Sequence, residues 1–155
     1  MIDKSELLAH VVSQLGEVVE QMDHAADAQR LDVSKQEGAM QSRYDTHRIE
    51  GSWLADAMHI RRDELKQQLR RAQAYGLPSS PRRVVCEGAL VYVRFSGVRT
   101  AYFILPFAGG CELVVDDEEI TVISPDAPIA QQLLGRLPGE KVPFRNQIVQ
   151  IEEVT

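Results

Sequence analysis

Few residues of this 155-residue chain have the types and spacing that enzymatic chemistry requires. Cys86 and Cys111 are too isolated for a zinc site and too few for a disulfide framework. The sequence shows no nucleophile beside a base, no phosphate-binding glycine loop and no cofactor motif. Four histidines show no ligand spacing with a third partner: His10, His24, His47 and His59. We therefore expect a protein that is not an enzyme and that holds no cofactor in isolation.

Charge is distributed unevenly along the chain, and its net value is −6. Residues 1–33 are acidic, whereas residues 59–71 are basic. The negative total argues against a direct grip on nucleic-acid phosphates. The basic segment has two interpretations, a solvated helix face or a handle for an acidic partner. The four-acid run 116–119 has two as well, a solvated turn or a contact with a basic patch.

The first half of the sequence predicts two long helices joined near Leu31–Ser42. Asp3 is placed as the N-cap of the first helix, and Gly76 as a left-handed stop of the second. Apolar residues of the first helix recur at alternating steps of three and four, which keeps one stripe facing a partner. They are Leu8, Val11, Leu15, Val18, Met22 and Ala25. An antiparallel helical hairpin that projects from the rest of the chain would bury this stripe.

The second half of the sequence predicts a small β-rich domain with one short helix. The helix is placed at Ala127–Leu134, with Asp126 as its N-cap and Gly135 as its stop. Ser96-Gly97 and Arg145-Asn146 are among the predicted turns. The predicted strands are Val84–Cys86, Leu90–Phe95, Ala101–Leu105, Glu112–Val115, Ile120–Ile123, Lys141–Phe144 and Ile148–Val154.

These patterns predict an α+β protein in which a helical hairpin, residues 1–76, precedes a β-rich domain, residues 82–155. A stiff proline-containing linker, residues 77–81, joins them. No apolar run approaches the length that spans a bilayer, and the N-terminus lacks the features of an export signal. We expect a cytoplasmic protein with no membrane partner.

The segment from Ile120 to Val142 resembles the C-terminal signature of the Gre family of bacterial transcript-cleavage factors. It reads ITVISPDAPIAQQLLGRLPGEKV. The family has a strand, then Ser-Pro-Ile-Ala/Gly, a short helix ending in Leu-Leu/Ile-Gly-Lys, and Gly-Asp before the next strand. This chain departs by an insertion of Asp126-Ala127, which repeats the proline at Pro128. The order of parts also matches, because a coiled-coil hairpin precedes an FKBP-like C-terminal domain in that family.

The resemblance implies RNA polymerase as the partner and transcription elongation as the process. Members dock the FKBP-like domain at the rim of the secondary channel of the polymerase and insert the hairpin into it. On this basis we expect the polymerase contact to involve Ser124, Pro125, Pro128 and Ile129.

The resemblance also implies a role for acidic residues at the hairpin tip. In active members, two such acids help to hold a second Mg²⁺ and a water in the polymerase active centre. Counting back from Tyr44, the acids of the family motif fall on Glu37 and on Met40. A tip one residue longer would instead offer Asp32 and Glu37. At most one acid is kept in the first alignment, so we expect weak or no stimulation of cleavage.

Two other functions fit parts of the sequence. A peptidyl-prolyl isomerase is suggested by an FKBP-like domain alone, with six candidate aromatic residues: Tyr92, Phe95, Tyr102, Phe103, Phe107 and Phe144. A dimerising coiled-coil adaptor is suggested by Trp53, which lies one residue off the helical seam. Trp53 either packs at the edge of the hairpin or anchors a partner. We expect a monomer, with a dimer as the alternative.

Overall fold

A computed structural model describes residues 2–36, 45–78 and 83–155, with side chains described except at 29–36 and 45–52. The chain forms two compact units. One comprises Met1–Val12 and Ala74–Thr155, and the other comprises Ser13–Gln73. The predicted α+β class, a helical hairpin followed by a small β-rich domain, is confirmed. The predicted domain boundaries stay a prediction.

The first helix, α1, runs from Lys4 to Gln36. Its N-cap is confirmed, because the Ser5 amide donates a hydrogen bond to Asp3 Oδ1 at 2.8 Å. The expectation that the helix ends near Leu31 is wrong, since helical backbone continues to Gln36. This stretch contains no proline or glycine to stop it. The remaining tip residues, 37–44, lie outside the described part of the chain.

The second helix, α2, runs from Asp45 to Ala74 and pairs with α1 within the Ser13–Gln73 unit. Lys66 Nζ lies 2.9 Å from Asp23 Oδ2, and Arg62 Nη1 lies 3.7 Å from Asp23 Oδ1. Among the side chains of this unit that the structure describes, the buried apolar ones are Leu15, Val19, Leu65 and Ala72. Two residues of the basic segment of α2, Lys66 and Arg62, thus face Asp23 of the acidic α1, as an antiparallel hairpin permits.

The exit from α2 differs from its prediction. Helix α2 ends at Ala74, and Gly76 does not adopt the left-handed backbone expected of a helix stop. The next residue after the helix, Tyr75, makes side-chain contacts instead. The Tyr75 ring packs edge-on against Phe107 at 5.3 Å between centroids, and its hydroxyl donates to Glu87 at 3.3 Å. These side-chain contacts hold the exit without a Gly cap.

The β-rich part contains six strands: β1 Leu90–Phe95, β2 Val98–Ile104, β3 Glu112–Val115, β4 Glu118–Ile123, β5 Lys141–Phe144 and β6 Gln147–Val154. They form one sheet in the order β3-β4-β2-β1-β6-β5. The pairing of β2 with β4 is parallel, and the other pairings are antiparallel. A short helix, α3, spans Pro128–Leu133 between β4 and β5.

The predicted strand Val84–Cys86 is wrong. The backbone of Val85 instead bonds to the turn after α3, with its amide donating to Arg136 and its carbonyl accepting from Gly135. The backbone hydrogen bonds of Val85 are thus made to a loop and not to a neighbouring strand. Sequence alternation cannot separate these two outcomes.

Three hairpins close with two-residue turns in which both residues have positive φ. This geometry matches the right-handed twist of paired strands. The turns are Ser96-Gly97 (51° and 86°), Asp116-Asp117 (53° and 62°) and Arg145-Asn146 (48° and 63°). The predicted turns at Ser96-Gly97 and Arg145-Asn146 are confirmed.

Both faces of the sheet are buried. One face forms the main core with Ala130 and Leu133 of α3. Because side chains alternate along a strand, the opposite face carries another buried set: Leu90, Ala101, Phe103, Ile120 and Val122. Leu7 and Val11 of α1 are fully buried and belong to the same compact unit. Ile2 lines a pocket with residues of this second face, so the start of α1 lies beside the sheet.

Gly88 provides a test of the contact between the α2 exit and the sheet. A Cβ at Gly88 would stand 2.7 Å from Pro78 Cδ, whereas one at Gly110 would meet nothing within 4 Å. Both glycines have positive φ, so alanine costs about 1–2 kcal/mol at either position through backbone strain. We expect Gly88→Ala to lower the free energy of unfolding by clearly more than Gly110→Ala, measured by chemical denaturation. Equal losses would show that Pro78 does not approach Gly88.

Candidate interaction surface

The β4–α3 segment, defined as residues 124–129, comprises the turn after β4 and the start of α3 and carries the four residues expected to contact a partner. Ser124 follows the last residue of β4, and its carbonyl accepts a hydrogen bond from the Ala127 amide at 3.0 Å. This bond closes a tight turn that leads into α3. The turn therefore brings Ser124, Pro125, Pro128 and Ile129 into one short stretch of surface.

Helix α3 begins differently from its prediction. The N-cap is Ala127, not Asp126, and no side chain caps the helix. Pro128 occupies the first turn, where its missing amide costs no helical hydrogen bond and its fixed φ suits the helix. Pro128 thus fixes the first residue of α3, a role that was expected of the Asp126 carboxylate as N-cap. The predicted stop is confirmed, because Gly135 has φ 79°.

The surface of this segment is small and mostly apolar. Pro128 and Asp126 are exposed, whereas Ser124, Pro125 and Ile129 are half-buried. Ile129 packs partly against the core cluster. Such a surface can bind a partner through shape and van der Waals contact, with few groups to desolvate.

Gly109 supports the segment from the neighbouring loop. A Cβ at this position would lie 3.4 Å from the Ser124 amide nitrogen and 3.5 Å from the Ser124 Cβ. The Leu105 amide donates to the Ile123 carbonyl at 3.0 Å, which joins the ends of β2 and β4 beside it. The segment is thus held on two sides by backbone.

The acids predicted at the hairpin tip are not placed by the described structure. Asp32 belongs to the helical backbone of α1, and its side chain is outside what the structure describes. Glu37 lies in the undescribed stretch 37–44. Their predicted part in a Mg²⁺ site shared with a polymerase stays a prediction.

A polar cluster surrounds Tyr92 at the side of the sheet away from α3. The Tyr92 hydroxyl donates to Glu118 Oε2 at 3.1 Å, and the Arg99 guanidinium stacks over the ring at 4.2 Å. Burial, followed by the charge of Glu118, raises the pKa of Tyr92 to about 12. Arg99 also lies 3.6 Å from Glu152 and from Glu153. The phenol therefore keeps its proton near neutral pH, and the neighbouring carboxylates face a guanidinium.

Residues 2–36, 45–78 and 83–155 hold no group of three histidine, cysteine, aspartate or glutamate side chains placed to hold a metal ion. Asp23, which lies beside His24 in the sequence, pairs with Lys66 and Arg62. None of the helices in these ranges is both long enough and apolar enough to cross a bilayer.

The aromatic residues considered for an isomerase pocket are split between the two faces of the sheet. Phe95, Tyr102 and Phe144 pack against the core on the α3 side. Phe103 is fully buried on the opposite face, because it alternates with Ile104. The sheet therefore separates them, and they do not line one cage.

Trp53 is the most exposed aromatic residue for which the structure gives an accessibility. Its exposed fraction is 71%, and the apolar residues Leu54 and Ile60 are exposed as well. The interpretation that Trp53 packs at the edge of the hairpin is therefore wrong. Spacing alone could not show this, because one position off a seam is compatible with either outcome.

Among known proteins, similarity to this chain was found in solved structures. No protein-family model matches the sequence, and no curated protein matches it significantly. The GreA factor homolog 1 (Gfh1) of Thermus thermophilus is similar over 97% of this chain and 93% of its own, at 12% identity and a TM-score of 0.37. The Gfh1 of Thermus aquaticus is similar over 92% of each chain, at 12% identity and a TM-score of 0.37. A further structure of the transcription factor Gfh1 has 14% identity, 92% coverage of each chain and a TM-score of 0.36.

Proposed function

We propose that this protein regulates transcription elongation by binding RNA polymerase at its secondary channel. The observation that carries the proposal is the segment from Ile120 to Val142. It resembles the Gre signature in sequence, and its strand, Ser-Pro turn, short helix and glycine stop follow in the same order in the structure. A paired helical hairpin precedes it in the chain. Each of these parts corresponds to one part of a Gre factor.

The proposed contact uses the β4–α3 segment on the globular unit. Ser124, Pro125, Pro128 and Ile129 present an apolar surface whose backbone is fixed by the turn into α3. A net charge of −6 suits a partner that is a protein surface rather than nucleic-acid phosphates. The hairpin tip, residues 37–44, is the part proposed to enter the channel.

The proposed effect is occupancy of the channel with weak or no stimulation of transcript cleavage. A second Mg²⁺ in the polymerase active centre would need carboxylate oxygens from the tip. The alignment of this chain offers Glu37, with Asp32 only if the tip is longer. A weak metal site that loses one of two ligands loses most of its effect. The protein itself is proposed to catalyse no reaction.

Binding to polymerase is tested with Pro128→Asp. Aspartate in the first turn of α3 suits the positive end of the helix, so we expect the fold to be kept while a charge enters the proposed contact. Binding to core RNA polymerase, measured by pull-down and biolayer interferometry, should weaken by about tenfold or more, as buried interface positions commonly do.

The matched control is Pro138→Asp, the same replacement at an exposed proline in the turn before β5. It should bind like the unmodified protein. The proposed contact would be wrong if both variants bound equally. The proposed partner would be wrong if the unmodified protein did not bind core polymerase at all.

The absence of strong cleavage stimulation is tested on a backtracked polymerase complex. We expect transcripts to stay close to full length when the protein is added with Mg²⁺, and Glu37→Ala to change little. Electrophoresis of labelled transcripts measures the result. Short transcripts that disappear with Glu37→Ala would instead assign an active cleavage function to the tip.

A dimerising adaptor is the second candidate, and the exposure of Trp53, Leu54 and Ile60 favours it. Exposed apolar residues in sequence proximity on one helix mark interaction sites more often than isolated ones do. Size-exclusion chromatography with light scattering separates the candidates. A dimer that becomes a monomer with Trp53→Ser would support the function as a dimerising adaptor. If the unmodified protein is a monomer, that function is excluded.

A further inference from the structure

The sheet has two edge strands, β3 and β5, and their outward backbone groups differ. An edge strand presents unpaired amides and carbonyls on which another strand can pair. In each edge strand, the two-residue turn fixes which residues point outward. The residues flanking such a turn form a hydrogen-bonded pair, and the pairs alternate from there along an antiparallel ladder.

At the β5 edge, Phe144 and Gln147 flank the Arg145-Asn146 turn, so the next pair, Pro143 with Ile148, is not hydrogen-bonded. The position whose amide would point outward is therefore occupied by proline, which has none. Proline at such a position blocks the addition of a strand.

At the β3 edge, Val115 and Glu118 flank the Asp116-Asp117 turn, so the next pair, Val114 with Glu119, is not hydrogen-bonded. The amide and carbonyl of Val114 therefore point away from β4. The hydrogen bonds at the other end of the β3–β4 ladder lead to the same assignment of which residues bond to β4. The Val122 amide donates to Cys111 and its carbonyl accepts from Gly110, a bulge with φ 89° at Gly110. Val114 thus stands where Pro143 stands in the other hairpin.

Val114 is also apolar and 68% exposed. Within the described ranges, no strand pairs with the outer side of β3. Four exposed acidic residues lie on β3, on its turn and on the neighbouring strand β4: Glu112, Asp116, Asp117 and, opposite Val114, Glu119. A second copy of β3 would bring like charges together across the new pair, which is unfavourable. An extended segment with lysine or arginine would bring opposite charges together.

We propose that the outer edge of β3 accepts an extended, basic segment of a partner protein as an added strand. The Val114 amide and carbonyl supply the backbone hydrogen bonds, the Val114 side chain meets an apolar residue of the segment, and the flanking acids select lysine or arginine. This mode of recognition takes affinity from the backbone and specificity from alternate side chains. The inference is independent of polymerase binding through the β4–α3 segment.

The test titrates the protein with an acetylated and amidated peptide, Lys-Val-Arg-Val-Lys-Val, followed by amide NMR shifts and calorimetry. We expect saturable binding with the largest shifts in β3. A Glu-Val-Glu-Val-Glu-Val peptide should not bind. The basic peptide with an N-methyl group on every residue keeps its charge but loses its amide donors on both edges, and it should bind about tenfold more weakly or worse.

Val114→Pro removes the outward amide while leaving the ladder to β4 intact, because that amide does not bond to β4. It should weaken binding about tenfold or more, whereas Val114→Thr, which keeps the amide, should change it by less than about threefold. Asp117→Lys with Glu119→Lys should also weaken binding. The N-methyl comparison uses unmodified protein, so the test stands even where Val114→Pro does not fold.

Three results would overturn the proposal. One is no saturable binding of the basic peptide, and another is equal binding of its N-methylated form, which would show a purely electrostatic contact. The third is self-association that Val114→Pro abolishes, because the strand added to β3 would then come from a second copy of this protein. No polymerase is present in this titration, so its failure would leave the proposed function untouched.

Discussion

The structure of the globular unit depends on covering both faces of one sheet. Helix α3 covers one face, with Ala130 and Leu133 in the core. The opposite face buries residues as large as Phe103 and Leu90, and α3 lies on the other side. Leu7 and Val11 of α1, in the same compact unit, are themselves fully buried. Burial of such side chains contributes about 1.5–3 kcal/mol each. The fold of the sheet is thus tied to the first turns of the chain.

This constraint explains where the two proposed surfaces lie. Both faces of the sheet are occupied, so partners are left with its edges and with the loops at strand ends. The β4–α3 segment is such a loop, held by Gly109 on one side and by the turn into Pro128 on the other. The outer edge of β3 is the sheet edge without a proline. Strand β4 carries both surfaces, one at its C-terminal end and one through its hairpin with β3.

Much of the local structure could be predicted from the sequence, because local chemistry determines it. Asp3 caps α1 through its own side chain, and Gly135 stops α3 because its φ is positive. Predictions failed where a distant contact decided the outcome. Val85 bonds to the turn after α3 instead of forming a strand, and Tyr75 with Phe107 replaces the expected cap at Gly76. No periodicity in the sequence encodes such partners.

The role of the candidate site stays a prediction, whereas its local geometry is defined. The resemblance suggested Ser124, Pro125, Pro128 and Ile129, and the structure places the first two in the turn after β4 and the last two at the start of α3. The predicted N-cap of α3 was wrong, because the cap is Ala127, followed by Pro128, and not Asp126. The difference between Val114 and Pro143 could not be seen in the sequence. It depends on the strand order and on the phase of the hydrogen bonds, which only the assembled sheet defines.

Hydrogen exchange on the intact protein tests most directly whether the start of α1 is part of the sheet fold. If it is, the amides of Leu7 to Val11 are protected to within about tenfold of those of Val91 and Val93 in β1, because all of them open in one cooperative event. Amides of Leu7 to Val11 that exchange far faster, while β1 stays protected, would contradict the account, because the second face of the sheet would then not depend on α1.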